Sequence, residues 1–215
     1  MSKEENLARV LNTGVVAVIR AKSGEQLVPL AHALIDGGVD ILEVTYTVPN
    51  ATEVIRRVIQ ATGRQALVGA GTVLDPATAE EAIRAGAQFI VSPSINRDVI
   101  RLCRRGGIAM MPGAFTPTEV VSAWEAGADI VKIFPSDSVG PAHLKALRAP
   151  LPHIPMMPTG GVDLENAADF IRVGACALGV GGSLVKKSAV ESGDMRQITQ
   201  LAKQFVEAVR QARLE

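Results

Sequence analysis

The sequence predicts an α/β fold, a (β/α)8 TIM barrel with an extra N-terminal helix, and three observations carry that expectation. Short apolar runs alternate with helical segments along the whole chain. One phrase recurs, as "LIDGGVDILEV", "IRAGAQFIVS", "WEAGADIVKI" and "IRVGACALGV": a helix ends at glycine and a β-branched or apolar run begins at once. Glycine suits the left-handed end of a helix, and a run with no polar alternation suits a parallel strand covered on both faces. Finally, 215 residues with no linker between elements make residues 1–215 one barrel domain. A doubly wound open sheet is the alternative packing of the same elements.

Taken in order, residues 3–11 form a short helix ahead of the first strand, and strands follow over 15–19, 39–45, 67–72, 88–92, 108–111, 130–134, 156–159 and 177–180. Helices lie between them. Ser23 with Gln26, Asn50 with Glu53, and Thr116 with Glu119 have the spacing of N-cap and N3 pairs, while Asp75-Pro76 reads as another helix start. The last segment, 194–213, places Ile198, Leu201, Ala202, Phe205, Ala208 and Val209 at helical spacing, a final amphipathic helix.

A formal net charge of zero gives no general attraction to nucleic acid or to an acidic membrane. Cys103 and Cys176 are far apart, with neither metal-type spacing nor a disulfide framework. The start, "MSKEENLARV", is too polar for a signal peptide, and no apolar stretch is long enough for a bilayer, so a cytoplasmic protein is expected.

Active sites of such barrels sit at the carboxyl ends of the strands. Two apolar strands carry a charge there. "VDILEVTYT" holds Glu43 and "GADIVKIFPS" holds Lys132. Alternation along a strand turns Lys132 inward with Ile130 and Phe134, and sets Val131 and Ile133 toward the helices. The same parity points Ile41, Glu43 and Thr45 inward. Both strands are even-numbered, so the two charges can approach across the barrel. A structural ion pair is one reading. The other is chemical: a desolvated lysine amine attacks a ketone to form a Schiff base, and a neighbouring carboxylate moves protons.

Two glycine turns follow the late strands, "PTGGV" with Gly160 and Gly161, and "GVGGS" with Gly182 and Ser183. Such turns let backbone N–H groups approach an anion, and this end of the barrel is the usual phosphate site. Thr72, in "GAGTV", is a hydroxyl donor or else part of a small-residue corner. His32, His143 and His153 suggest no metal cluster, and Phe115 and Trp124 read as helix packing. The residues thus point to metal-free Schiff-base chemistry on a phosphorylated keto compound.

The motifs "ILEVTYTVPN", "VGAGTVLDP", "AQFIVSPS", "MPGAFTPTE", "DIVKIFPSDSVGP", "PTGGV" and "GVGGSLV" resemble, in order, those of the 2-keto-3-deoxy-6-phosphogluconate (KDPG) and 4-hydroxy-2-oxoglutarate (KHG) aldolase family, which also includes phosphogalactonate aldolases. The resemblance implies a class I aldolase on a (β/α)8 barrel, a homotrimer without metal or cofactor. It acts on a phosphorylated keto-deoxy sugar acid and releases pyruvate. It also implies Lys132 as the Schiff-base lysine and Glu43 as general acid/base. Substrate contacts fall at Thr72, Pro93, Phe134 and Thr159, and phosphate contacts at Gly160, Gly161, Gly182 and Ser183. The family's "EVTxR" arginine is replaced by Thr47, and Arg20, at the end of the first strand, is the candidate to supply that cation. A phosphosugar isomerase and a non-catalytic phosphosugar-binding barrel are the rival readings.

Overall fold

The computed structural model describes residues 2–20 and 26–215. The expected Ser23 cap lies outside the described residues. Helix α1 (Lys3–Thr13) opens on a capping box, Ser2 and Glu5 each bonding the other's backbone N–H. There follow β1 (Val15–Ile19), α2 (Leu27–Asp36), β2 (Ile41–Thr45), α3 (Ala51–Thr62), β3 (Leu67–Gly71), α4 (Pro76–Arg84), β4 (Phe89–Val91), α5 (Arg97–Gly106), β5 (Ala109–Met111) and β6 (Gly113–Ala114). The rest is α6 (Pro117–Ala126), β7 (Val131–Ile133), α7 (Gly140–Arg148), β8 (Met156–Pro158), α8 (Ala167–Arg172), β9 (Leu178–Val180), α9 (Lys187–Ser192) and α10 (Met195–Ala212). Among the described residues no helix is long and apolar enough to cross a membrane.

The local signals held where their mechanism was complete. Asp75 accepts from the N–H of Thr78 with Pro76 beginning α4, and Thr116 and Glu119 form the expected reciprocal box. In the four recurring phrases a glycine takes a positive φ, at Gly38, Gly86, Gly127 and Gly174. Two expectations are corrected. Asn50 precedes α3 but sits in the left-handed region, φ 54°, with no side-chain cap bond. The predicted strand at 108–111 is followed by a second short piece, so β5 and β6 flank Pro112, which has no N–H to give to a ladder.

The strands form a curled parallel sheet in two parts. Six pair in the order β5-β4-β3-β2-β1-β9, and three in the order β6-β7-β8. Backbone bonds also cross the breaks. Asp129 N–H donates to Met110 at 2.9 Å and Lys132 N–H to Pro112 at 2.9 Å, while Cys176 N–H donates to Met156 at 2.9 Å and Thr159 bridges to Gly179.

Two apolar clusters separate along this sheet. Leu42, Val44, Val131 and Ile133 pack with the helices in the larger one. Val16, Ile41, Leu67, Phe89, Ile130 and Met157 fill the smaller one inside the curl, closed at one end by Val10 and Leu7 of α1. The predicted parity of both charged strands is therefore observed. Space inside is short: a Cβ on Gly69 would lie 2.5 Å from the Phe89 ring.

Candidate active site

β2 brings Glu43 into register with Val18 on one side and Gly69 on the other, two residues beyond the interior residue Ile41. Its side chain is 1% exposed, and neither carboxylate oxygen has a hydrogen-bond partner among the described residues. Gly71 makes room for it, since a Cβ there would stand 1.9 Å from Oε1. Burial pushes the Glu43 carboxyl above the ordinary carboxylate range, against the opposing pull of the Lys132 and Arg20 cations.

Lys132 lies in register with Gly113 and Met157 and is 5% exposed. Its Nζ stands over the Phe134 ring, 5.0 Å from the centroid, a cation–π contact. Among the described residues no hydrogen bond or ion pair joins it to Glu43. The contact ion pair considered from the sequence is thus not formed. The two groups face one interior and act on each other through the field.

The other predicted residues ring this pair unequally. Thr159 is buried, its Oγ1 unpartnered among the described residues and seated where a Cβ of Gly179 would be, at 2.2 Å. The Phe134 ring lies 3.6 Å from the Cβ position of Gly160, so the wall beside Lys132 touches the glycine turn. Gly160 and Gly161 hold φ of 87° and 71°, and the N–H groups of Gly161, Gly182 and Ser183 enter no hydrogen bond among the described residues. The Ser183 hydroxyl donates to the Val162 carbonyl and ties the two turns together. Thr72, expected to close the third strand, lies just past β3 at φ 58°, a costly conformation for a β-branched residue. Pro93 is half-buried, with its carbonyl 2.2 Å from the Cβ position of Gly113.

Arg20 is exposed at the end of β1 and lines a cavity of about 410 Å³ with Val18, Gly182 and Lys187. That places it on the side of the second glycine turn. Thr47 is exposed and pairs with Thr45, Oγ1 to Oγ1 at 2.7 Å.

Sequence reasoning missed Ser136. It is buried, its N–H donates to Thr159 at 3.0 Å and its hydroxyl to Ile133 at 2.8 Å, which joins the loops after β7 and β8. The available signal was a small hydroxyl directly after "IFP". His143 accounts for itself otherwise, with Nε2 2.8 Å from the Phe115 carbonyl and its ring stacked on Phe115 at 4.8 Å.

The family description "KDPG and KHG aldolase" matches residues 7–201. The chain belongs to this aldolase family. Its members are carbon–carbon lyases. A relative from Escherichia coli named 2-dehydro-3-deoxy-6-phosphogalactonate aldolase is 37% identical over 92% of this chain and 95% of its own. Another from the same organism, named KHG/KDPG aldolase, is 38% identical over 94% of this chain and 95% of its own. The solved KDPG aldolase of Legionella pneumophila, with pyruvate captured as a covalent carbinolamine, superposes with a TM-score of 0.86 at 30% identity, covering 92% of this chain and 96% of the other. Family membership thus comes with relatives named for more than one acid.

Proposed function

We propose that this aldolase cleaves 2-keto-3-deoxy-6-phosphogluconate to pyruvate and glyceraldehyde 3-phosphate through a Schiff base on Lys132. The observation that carries the reading is a buried lysine and a buried carboxylate facing one interior without neutralising each other. The covalent pyruvate adduct named for the Legionella relative supports the lysine chemistry. The bonds that cross both breaks of the sheet, and an interior cluster plugged by α1, support a closed (β/α)8 barrel with an extra N-terminal helix. The family likeness supports a single domain working as a cytoplasmic homotrimer.

The free amine of Lys132 adds to the ketone carbon, and the carbinolamine loses water to give an iminium. Glu43 takes the proton from the hydroxyl of the fourth carbon. The bond between the third and fourth carbons breaks, its electron pair flowing into the iminium to leave an enamine, and the aldehyde departs. Glu43 returns a proton to the third carbon, and water hydrolyses the iminium to release pyruvate and the amine. Burial holds the carboxyl above its usual range, the direction that favours its giving a proton as well as taking one. The iminium is the electron sink, so the route asks for no cofactor.

Thr72, Pro93, Phe134 and Thr159 are read as the keto-acid contacts. Gly160, Gly161, Gly182 and Ser183 are read as the phosphate cradle, with N–H groups of the two turns turned to the anion. Arg20 shares the cavity of Gly182, which favours a role at the phosphate end rather than as the substitute for an arginine at Thr47. The relatives' names keep the phosphogalactonate and hydroxy-oxoglutarate acids as second readings.

Incubation with pyruvate, borohydride reduction and peptide mass spectrometry tests the mechanism. The adduct is expected on Lys132, absent in Lys132→Ala and present in Lys145→Ala. An adduct elsewhere, or none, defeats the Schiff-base reading. Binding of the acid without turnover supports a non-catalytic barrel.

A further inference from the structure

The loop after β7 is closed by a side chain that the reaction scheme leaves unused. Ser136 is buried, and its hydroxyl donates to the Ile133 carbonyl at 2.8 Å. That bond spans Phe134 and Pro135, and Pro135 has no N–H with which to hold the turn. The Ile133 carbonyl accepts a second bond, from the Thr159 N–H at 2.9 Å, and the Ser136 N–H donates to the Thr159 carbonyl at 3.0 Å. Three bonds thus make a closed circuit through the residue after Lys132, the turn beyond it and the residue after β8.

What the circuit encloses gives it a use. Phe134 is the first residue of the bridged turn. Its ring lies under the Lys132 amine, 5.0 Å from Nζ to the centroid, and 3.6 Å from the Cβ position of Gly160. Thr159 is held through both its N–H and its carbonyl, and keeps Oγ1 buried and unpartnered among the described residues. Without the Ser136 hydroxyl the Ile133 carbonyl still accepts from Thr159, so no buried acceptor is orphaned and both backbone bonds persist. The hydroxyl therefore adds little to the fold. Its loss frees the turn that carries the wall beside the amine.

We propose that Ser136 is a positioning residue for the Schiff-base step: its hydroxyl fixes Phe134 against Lys132, so that the amine meets the ketone in one orientation. This rests on the aldolase reading above. A misplaced reacting group costs up to about 100-fold in rate, and a loosened wall beside a lysine whose own strand is intact corresponds to roughly 10-fold.

The test compares Ser136→Ala and Ser136→Thr with the parent in three measurements: steady-state cleavage of the phosphorylated keto-deoxy gluconate and galactonate acids, the rate of borohydride-trapped pyruvate adduct, and a thermal melt. Ser136→Ala is expected to lower kcat and the trapping rate together by roughly 10-fold, with KM within about 2-fold because the phosphate cradle is untouched, and with the parent's melting behaviour. Ser136→Thr keeps the hydroxyl and is expected to recover most of the loss. If its extra methyl unfolds the protein, the split between kcat and KM in Ser136→Ala decides alone. Parent-like kcat and trapping in Ser136→Ala, with or without a lowered melting temperature, overturns the inference alone. So does a raised KM at unchanged kcat, which would make Ser136 a binding group. A parent that forms no adduct on Lys132 overturns the aldolase reading and this inference with it.

Discussion

A Cβ on Gly71 would lie 1.9 Å from Oε1 of Glu43, so the missing side chain of one residue is the space occupied by the carboxylate of the other. The two sit on neighbouring strands, and the contact is made inside the curl, where nothing can yield cheaply.

Gly71→Ala must therefore displace the Glu43 carboxylate. A misplacement of this kind costs about 100-fold in turnover while the fold persists. Steady-state cleavage measured beside a thermal melt checks it. Activity within a few-fold of the parent would mean that the carboxylate is not held where the reaction needs it.

Glu43 also ties stability to pH. Burial raises its carboxyl in the folded state, so the folded form holds the proton more tightly than the unfolded chain. Stability from this group is complete below the unfolded value, about 4.3, and is lost as pH rises through the raised folded value. Glu43→Gln removes the titration. Denaturant midpoints of the variant are expected to gain on those of the parent as pH rises from about 4 through the raised folded value. Parallel curves for both proteins would contradict the direction of the shift.

The glycine turns separate conformation from binding. Gly182 has open space where a Cβ would be, and its φ is not in the left-handed region, so Gly182→Ala is expected to keep its melting temperature and to raise KM for a phosphorylated acid. Gly161 holds φ 71° with a Cβ position 2.4 Å from Cα of Asp137, so Gly161→Ala is expected to destabilise by about 1–2 kcal/mol from the backbone conformation alone. Equal effects on KM and on melting in both variants would argue against this division.

Both cysteines are expected to be unreactive in the folded protein. Burial pushes the Cys103 thiol up to about 12, with the Asp129 charge adding to it, and burial likewise pushes Cys176 up to about 12. Iodoacetamide at neutral pH should label neither appreciably until denaturant is added. Rapid native labelling of Cys103 would show that its surroundings open.

Much of the site was legible because strand parity is local. Lys132 and Glu43 each stand as a charge in an apolar run, and alternation alone turned them inward with Ile130 and Ile41. Caps with both partners within three residues, such as Thr116 with Glu119, were equally legible. Asn50 was not: the spacing to Glu53 fits a cap, but the backbone at Asn50 took a left-handed turn instead. The sheet break at Pro112 was readable in principle, since a proline cannot donate to a ladder.

By itself the sequence determined the alternation of strands and helices, the inward lysine and carboxylate, the glycine turns and the family. Each depends on residue types at short, regular spacing. Tertiary structure alone decided that Glu43 and Lys132 make no ion pair, that Gly71 and Gly179 are spaces for neighbouring side chains, that Arg20 sits with Gly182, and that the Thr45 and Thr47 hydroxyls bond to each other. These join residues on different strands or beyond a strand's end, through distances of a few ångströms that no local periodicity encodes. Close packing and the satisfaction of buried polar groups set them only once the whole sheet has curled.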